Sequence, residues 1–248
     1  MTLVMAVNVG GSFCITTGDT RTIYLQSYES EGKLEIDKNI NKKANDAKKS
    51  IFISDYVMFC AAGNSDISIY IRDELLKRAN RSTTLIKSTL IIDDIVKEMK
   101  KEKNPPFFYR FLDEPDRFAV VLNGFNDDGE SGFAYLISGY EETGYRTVEK
   151  GEYDHILLSP SGDYNEKKQQ LLGKEMASGN IGLVRALNRM FKVHTTISYL
   201  QPNEVSSECD YKIIEWRKNK PKRKQGKKDV SLFYEKMELS DYNLNTLN

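Results

Sequence analysis

The sequence predicts an α+β fold, a four-layer αββα sandwich in which two stacked antiparallel sheets lie between two pairs of helices. Three observations carry this expectation. The hydrophobic period switches from two to about 3.6 and back twice along the chain, the helical segments come in consecutive pairs, and a Gly-Gly turn joins two β-rich runs at the start. Paired helices argue against a doubly wound parallel sheet, where a helix follows each strand. Two antiparallel sheets, each covered by one helix pair, bury every apolar stripe in the pattern.

Residues 2–9 and 12–18 read as strands joined by Gly10 and Gly11, which can take positive φ. A third apolar segment, Tyr24 to Tyr28, leads into a Lys- and Asn-rich stretch over 29–49 that reads as a long hairpin or surface excursion. Strands follow over 50–54 and 56–62, the second nearly all apolar and so buried. After Gly63, Ile67, Tyr70, Ile71, Leu75 and Ala79 share one helical face, with Ser65 or Asp66 as the cap. A second helix runs from about Thr84 to Lys103 with Ile86, Leu90, Ile91, Ile95 and Met99 as its stripe, and Pro105 with Pro106 stops it. Strand character returns at 118–125, 133–138, 145–148 and 155–159 as a meander of four. Helices over 164–178 and 180–191 precede two last strands near 195–200 and 210–216.

With 248 residues, the chain has enough apolar material for one large domain over 1–216, leaving 217–248 as a basic segment and tail. Lys plus Arg equals Asp plus Glu at 36 each, so no global field favours nucleic acid or an anionic membrane. No stretch suits a membrane helix and the start does not look like a signal peptide, which predicts a cytoplasmic protein. Cys14, Cys60 and Cys209 are far apart and read as reduced structural thiols. His155 and His194, the two histidines, have no ligand pattern near them, and the glycine pair lacks phosphate-loop spacing, so neither a metal nor an organic cofactor is expected. The run Arg217 to Lys228 (R-K-N-K-P-K-R-K-Q-G-K-K) reads either as a contact for nucleic acid or an acidic partner, or as a solvated flexible loop; the absence of interleaved aromatics favours the loop.

Four segments carry a resemblance: M-T-L-V-M-A-V at the start, G-D-T-R at 18–21, K-S-I-F-I-S-D at 49–55 and V-M-F-C-A-A-G at 57–63. In these the chain resembles the N-terminal-nucleophile (Ntn) hydrolase superfamily, and within it the proteasome β-type subunits. The first 63 residues hold nearly all of the likeness, and the element order extends it in outline to about Trp216. The resemblance implies a nucleophile at Thr2 with the small residue Ala6 behind it, an Asp-x-Arg pair at Asp19 and Arg21, a lysine before a short strand at Lys49, and an oxyanion-binding N–H at Gly63. Ser161 with Gly162 matches the family's Ser-Gly. Departures lie downstream: Pro160 stands where a glycine is usual, and the Asp-x-x-Ser-Gly-Gly segment is missing, with P-N-E-V-S-S at 202–207 as the nearest polar replacement.

The implied chemistry is amide hydrolysis without metal or cofactor. Removal of Met1 would free Thr2, whose α-amine, with an ordinary pKa of ~7.7–8.0, can take the proton of its own hydroxyl. Lys49 would favour the neutral amine, Asp19 would hold the ammonium, and the Gly63 N–H would meet the oxyanion. The expected protein is thus a threonine-type peptidase or amidohydrolase acting on a peptide or amide substrate in a homo-oligomeric ring, with room for an ATPase partner. A silent structural or binding subunit of the same fold is the alternative, and a nucleic-acid-associated module using the basic arm ranks last.

Overall fold

The computed structural model describes residues 3–30, 33–44, 48–63, 65–101, 118–137, 143–158, 162–177 and 181–236. Strands β1 (Val4–Val9) and β2 (Phe13–Asp19) form the opening hairpin and are buried along their whole length. Gly10 is required there by space: a Cβ would sit 1.9 Å from the carbonyl oxygen of Glu149. Gly11 takes φ of 67° in the turn. Strands β3 (Thr22–Ser30) and β4 (Lys33–Ala44) then pair as a separate two-stranded ribbon; of the two forms open to the polar stretch this is the hairpin, and it takes in the apolar segment 24–28 as its first strand.

The remaining elements are β5 (Ser50–Phe52), β6 (Val57–Gly63), α1 (Ser65–Arg78), α2 (Leu85–Lys101), β7 (Phe118–Phe125), β8 (Ser131–Ile137), β9 (Gly144–Val148), β10 (Tyr153–Leu158), α3 (Gly162–Met176), α4 (Leu183–Leu200), β11 (Glu208–Arg217), β12 (Lys220–Asp229) and a 3-10 turn, Ser231–Lys236. Two antiparallel five-stranded sheets result, in the orders β10-β1-β2-β11-β12 and β5-β6-β7-β8-β9. With four helices among the described residues the fold is α+β and compatible with a sandwich.

Alternation along the strands explains the packing. In β1, Met5 and Val7 join a cluster with Ile15, Ile213 and the α3 and α4 residues Leu172, Met176, Met190 and Val193. Their neighbours Val4 and Ala6 point the other way, into a cluster with Cys60, Val121 and Phe133 of the second sheet. Cys14 and Ile214 meet Met58 and Phe125 of that sheet in the same manner. On the second sheet, Phe59, Val120 and Leu122 pack with Ile67, Ile71, Leu75, Leu85 and Ile92 of α1 and α2. A strand whose two faces are both covered has no solvent face to alternate with, which is why β1 is apolar at every position but Asn8.

One position in that series is polar. Asn8 follows Val4 and Ala6 on the face toward the second sheet, and its Nδ2 donates to Asn123 Oδ1 at 3.0 Å. Ser131 Oγ donates to Asn8 Oδ1 at 2.7 Å, and Asn123 Nδ2 donates to the carbonyls of Val7 at 3.1 Å and Ile15 at 3.0 Å. Both asparagines are fully buried, so their bonds clamp the two sheets at a fixed register.

Four expectations are corrected. The strand near 155–159 is not the end of a meander: β10 leaves β7-β8-β9 and pairs with β1, Val4 opposite Leu158. Residues 195–200 are not a strand but the end of α4. Their β-branched composition suggests a strand, yet Val193 and Ile197 continue the stripe of Met190, and the Thr195 and Thr196 hydroxyls bond the carbonyls of Phe191 and Lys192 at 2.8 and 3.0 Å. The basic run Arg217 to Lys228 is not a loop: Lys218 and Asn219, with φ of 52° and 57°, make a two-residue turn into β12, which pairs with β11 along its length. On α2 the buried line is Leu85, Ile92, Ile95, Val96 and Met99, whereas Ile86 and Leu90 are 44% and 59% exposed. Isoleucine and leucine occupy two faces of that helix, and the sheet selects one of them. The side chains of Ser65 and Asp66, the helix stop at Pro105 and Pro106, and residues 237–248 lie outside the described residues. No helix among the described residues is long and apolar enough to cross a membrane.

Replacing Asn123 by Ala would strip a buried partner from Asn8 and from two carbonyls. A loss of about 2–3 kcal/mol in urea unfolding is expected; a change below about 0.5 kcal/mol would show that the clamp contributes nothing to stability.

Candidate functional site

The G-D-T-R segment ends β2, and its aspartate lies between two neighbouring strands. Asp19 is opposite Cys209 of β11 on one side, and on the other its backbone N–H donates to the Leu3 carbonyl at 3.0 Å. The Leu3 N–H in turn donates to Asp19 Oδ1 at 2.8 Å, so side chain and backbone together hold the start of β1. The Arg21 N–H donates to Oδ2 at 3.1 Å, closing a turn two residues on.

Lys49 reaches the same carboxylate from the other sheet. It directly precedes β5, the edge of the second sheet, and its Nζ donates to Asp19 Oδ1 at 2.7 Å. The two side chains are 9% and 0% exposed. Beside them Thr16 and Ser50 bring their hydroxyls to 2.7 Å across the same gap. Gly18 makes room, since a Cβ there would stand 3.2 Å from the Cβ of Lys49. Burial pushes the Lys49 pKa down, and the charge and hydrogen bond of Asp19 oppose that shift. The arrangement is a desolvated ammonium fixed on a carboxylate that also holds the first described amide of the chain.

A further layer supports this pair. The Thr20 N–H donates to Ser206 Oγ at 3.1 Å, and Ser206 Oγ donates to the Glu208 carbonyl at 3.0 Å. His194, fully buried on α4, has its Nε2 at 2.8 Å from the Ser206 carbonyl. Burial pushes the His194 pKa down, so the ring is neutral and donates through Nε2. The Arg21 guanidinium donates to the Pro202 carbonyl, in the same connection between α4 and β11. Ser206 falls within the P-N-E-V-S-S segment marked in the sequence as a polar replacement; nothing in the pattern signalled His194, a lone histidine in an apolar stretch.

Of the residues singled out from the sequence, Asp19, Lys49 and the Arg21 backbone come together. Gly63 closes β6 with φ of 89°, a conformation that favours glycine. The Ala61 N–H donates to the Lys49 carbonyl at 3.2 Å, so Gly63 stands two residues beyond the level of Lys49. Thr2 and Ser161, with Met1 and Pro160, lie outside the described residues. Ala6 is buried on the face of β1 that meets the second sheet.

The described cysteines are poor nucleophiles. Burial pushes the Cys60 thiol up to about 12 and raises those of Cys14 and Cys209 well above their ordinary value; all three are free and buried. Among the described residues no group of three or more His, Cys, Asp and Glu side chains could hold a metal ion. No protein-family model matches the chain, and no curated protein matches it.

Removing Asp19 leaves an ammonium buried without its partner. Asp19→Ala should cost about 3–5 kcal/mol, and a loss under about 1 kcal/mol would contradict the pairing. The sign of the pH dependence follows from the lowered Lys49 pKa. Just below the ordinary lysine value of about 10.4 the unfolded chain holds more protons than the folded one, so wild type should gain stability relative to Lys49→Met as pH rises there. Urea unfolding from about pH 8 to about pH 10 reads this difference, and a flat or falling one would overturn the assignment.

Proposed function

We propose that the chain is an N-terminal-nucleophile hydrolase with the four-layer αββα arrangement, cleaving a peptide or amide bond with Thr2 once Met1 is removed. One observation carries the reading: the buried Lys49–Asp19 pair is bonded, through Asp19 Oδ1, to the amide of Leu3, which a single peptide bond joins to Thr2. A desolvated cation beside the chain start is the device a free α-amine needs to stay neutral and act as a base.

The reaction follows from these groups. The Thr2 hydroxyl oxygen attacks the substrate carbonyl carbon while its proton passes to the Thr2 α-amine. The oxyanion is met by the Gly63 N–H, with Ser161 in support; loss of one such donor costs on the order of 3 kcal/mol. The C–N bond then breaks, the leaving amine takes the proton, and an acyl ester remains on Thr2. Water, deprotonated by the Thr2 α-amine, attacks the ester carbonyl; the C–O bond to Thr2 breaks, and the proton returns to its oxygen. Arg21, bonded through its N–H to Asp19 and through its guanidinium to Pro202, is a positioning residue. The same reading extends to a cytoplasmic homo-oligomeric ring fed by an ATPase partner.

A second reading has its own support. Asp19 already accepts from Leu3, Arg21 and Lys49, which suits a strut between the sheets in a catalytically silent subunit. A peptide epoxyketone, whose cyclic adduct needs both a hydroxyl and a free α-amine, separates the two. The hydrolase reading expects intact mass to show loss of Met1 and one adduct per chain on Thr2, none on Thr2→Ala, and labelling slowed on the order of 100-fold in Lys49→Met. Retained Met1, or equal labelling of Thr2→Ala, would leave the strut alone.

A further inference from the structure

We propose that the cleft between α4 and the β11–β12 ribbon binds an extended acidic peptide segment of a partner protein, with an apolar side chain seated at the start of α4 and carboxylates along two basic walls. The cleft has a volume of about 1040 Å³. Arg185, Arg189 and Lys192 line it from α4, and Arg217 and Lys224 line it from the ribbon. The α4 cations sit four and three residues apart, which keeps them on one side of the helix over about 10 Å. Among the described residues Glu215 is the one carboxylate in the lining, and it is already held by Lys224 at 2.9 Å and Arg217 at 2.5 Å.

Strand register extends the positive wall. Lys224 is opposite Ile213, Lys222 opposite Glu215 and Lys220 opposite Arg217. Ile213 belongs to the cluster that packs against α4, so the three lysines share the face of the sheet that carries α4. All three are exposed. Lysines two residues apart on a strand repeat about every 6.6 Å, the same repeat as alternate side chains of an extended peptide laid beside them.

Two features select a peptide. At one end of the cleft Ile181 and Leu183 stand with Val184, which is 72% exposed, an apolar seat beside the cations. Among the described residues no aromatic side chain lines the cleft, so a nucleic acid strand would find no stacking platform there for its bases. Lysines on an edge strand guard it against pairing with another chain, and that alone would explain β12. On α4, Lys192 also pairs with Glu175 at 2.8 Å and Arg189 also donates to the Met176 carbonyl at 3.2 Å, so these cations bind a peptide carboxylate as shared partners, and the exposed lysines of β12 supply the rest of the positive field.

The proposal is independent of Thr2 chemistry, and its test needs no activity. A fluorescein-labelled peptide of one leucine followed by six glutamates is titrated with the full chain by anisotropy at about 50 mM and about 300 mM salt. Saturable, salt-sensitive binding is expected. Arg189→Glu with Lys222→Glu, one change on each wall, should weaken it about tenfold or more, whereas Lys87→Glu with Lys97→Glu on α2, an equal change in net charge, should leave it within about twofold. A labelled six-nucleotide oligothymidylate should bind more weakly than the peptide. No peptide binding at the lower salt, equal loss in both double variants, or tighter binding of the oligonucleotide would each overturn the proposal; unfolding curves of both variants confirm that they are folded.

Discussion

A single carboxylate oxygen ties together three parts of the chain. Asp19 Oδ1 accepts from the amide that begins β1 and from an ammonium carried by the second sheet, while its own residue closes β2. Stability does not require this. Apolar packing on both sides of each sheet supplies the driving force, and a buried ion pair can often be exchanged for hydrophobic residues at little or no loss. What the pair supplies is position: a charged nitrogen with little freedom, held on the carboxylate oxygen that also takes the Leu3 amide. Charged groups kept desolvated against that tendency are common at sites of chemistry, and this is the physical ground for the hydrolase reading.

The polar groups between the sheets are bonded in compensating sets, Lys212 with Asp210 among them. Asn8, Asn123 and Ser131 satisfy one another and the carbonyls around them near the middle of the sheets, whereas Asp19, Lys49, Thr16 and Ser50 do so at one end. The first set fixes how the sheets register. Because such networks tolerate little displacement, the second set inherits a fixed distance between Asp19 on one sheet and Lys49 on the other. The layer of Ser206 and His194 then holds the β2 exit from the helix side.

Much of this was legible in the sequence, for identifiable reasons. The Gly10 turn, the apolar runs of β1 and β6, the paired helices and the G-D-T-R and K-S-I segments are local signals, and local signals survive folding. The misreadings arise where distant contacts decide. Thr195, Thr196 and Ile197 are β-branched but helical because Ile197 completes a stripe begun at Met190, and β12 is a strand despite its charges because β11 offers it a ladder. Leu90 and Ile92 have equal claims to burial until the sheet chooses Ile92. Asn8, Asn123, His194 and Ser206 gain their roles from partners that no spacing rule brings together.

The central claim is that Lys49 lowers the basicity of the chain's own α-amine. Selective ¹⁵N-threonine labelling and an NMR titration of the Thr2 amine in wild type and in Lys49→Met measure it directly. The account predicts an amine pKa below the ordinary ~7.7–8.0 in wild type and a rise when the lysine charge is removed. An amine that titrates identically in both proteins would contradict it.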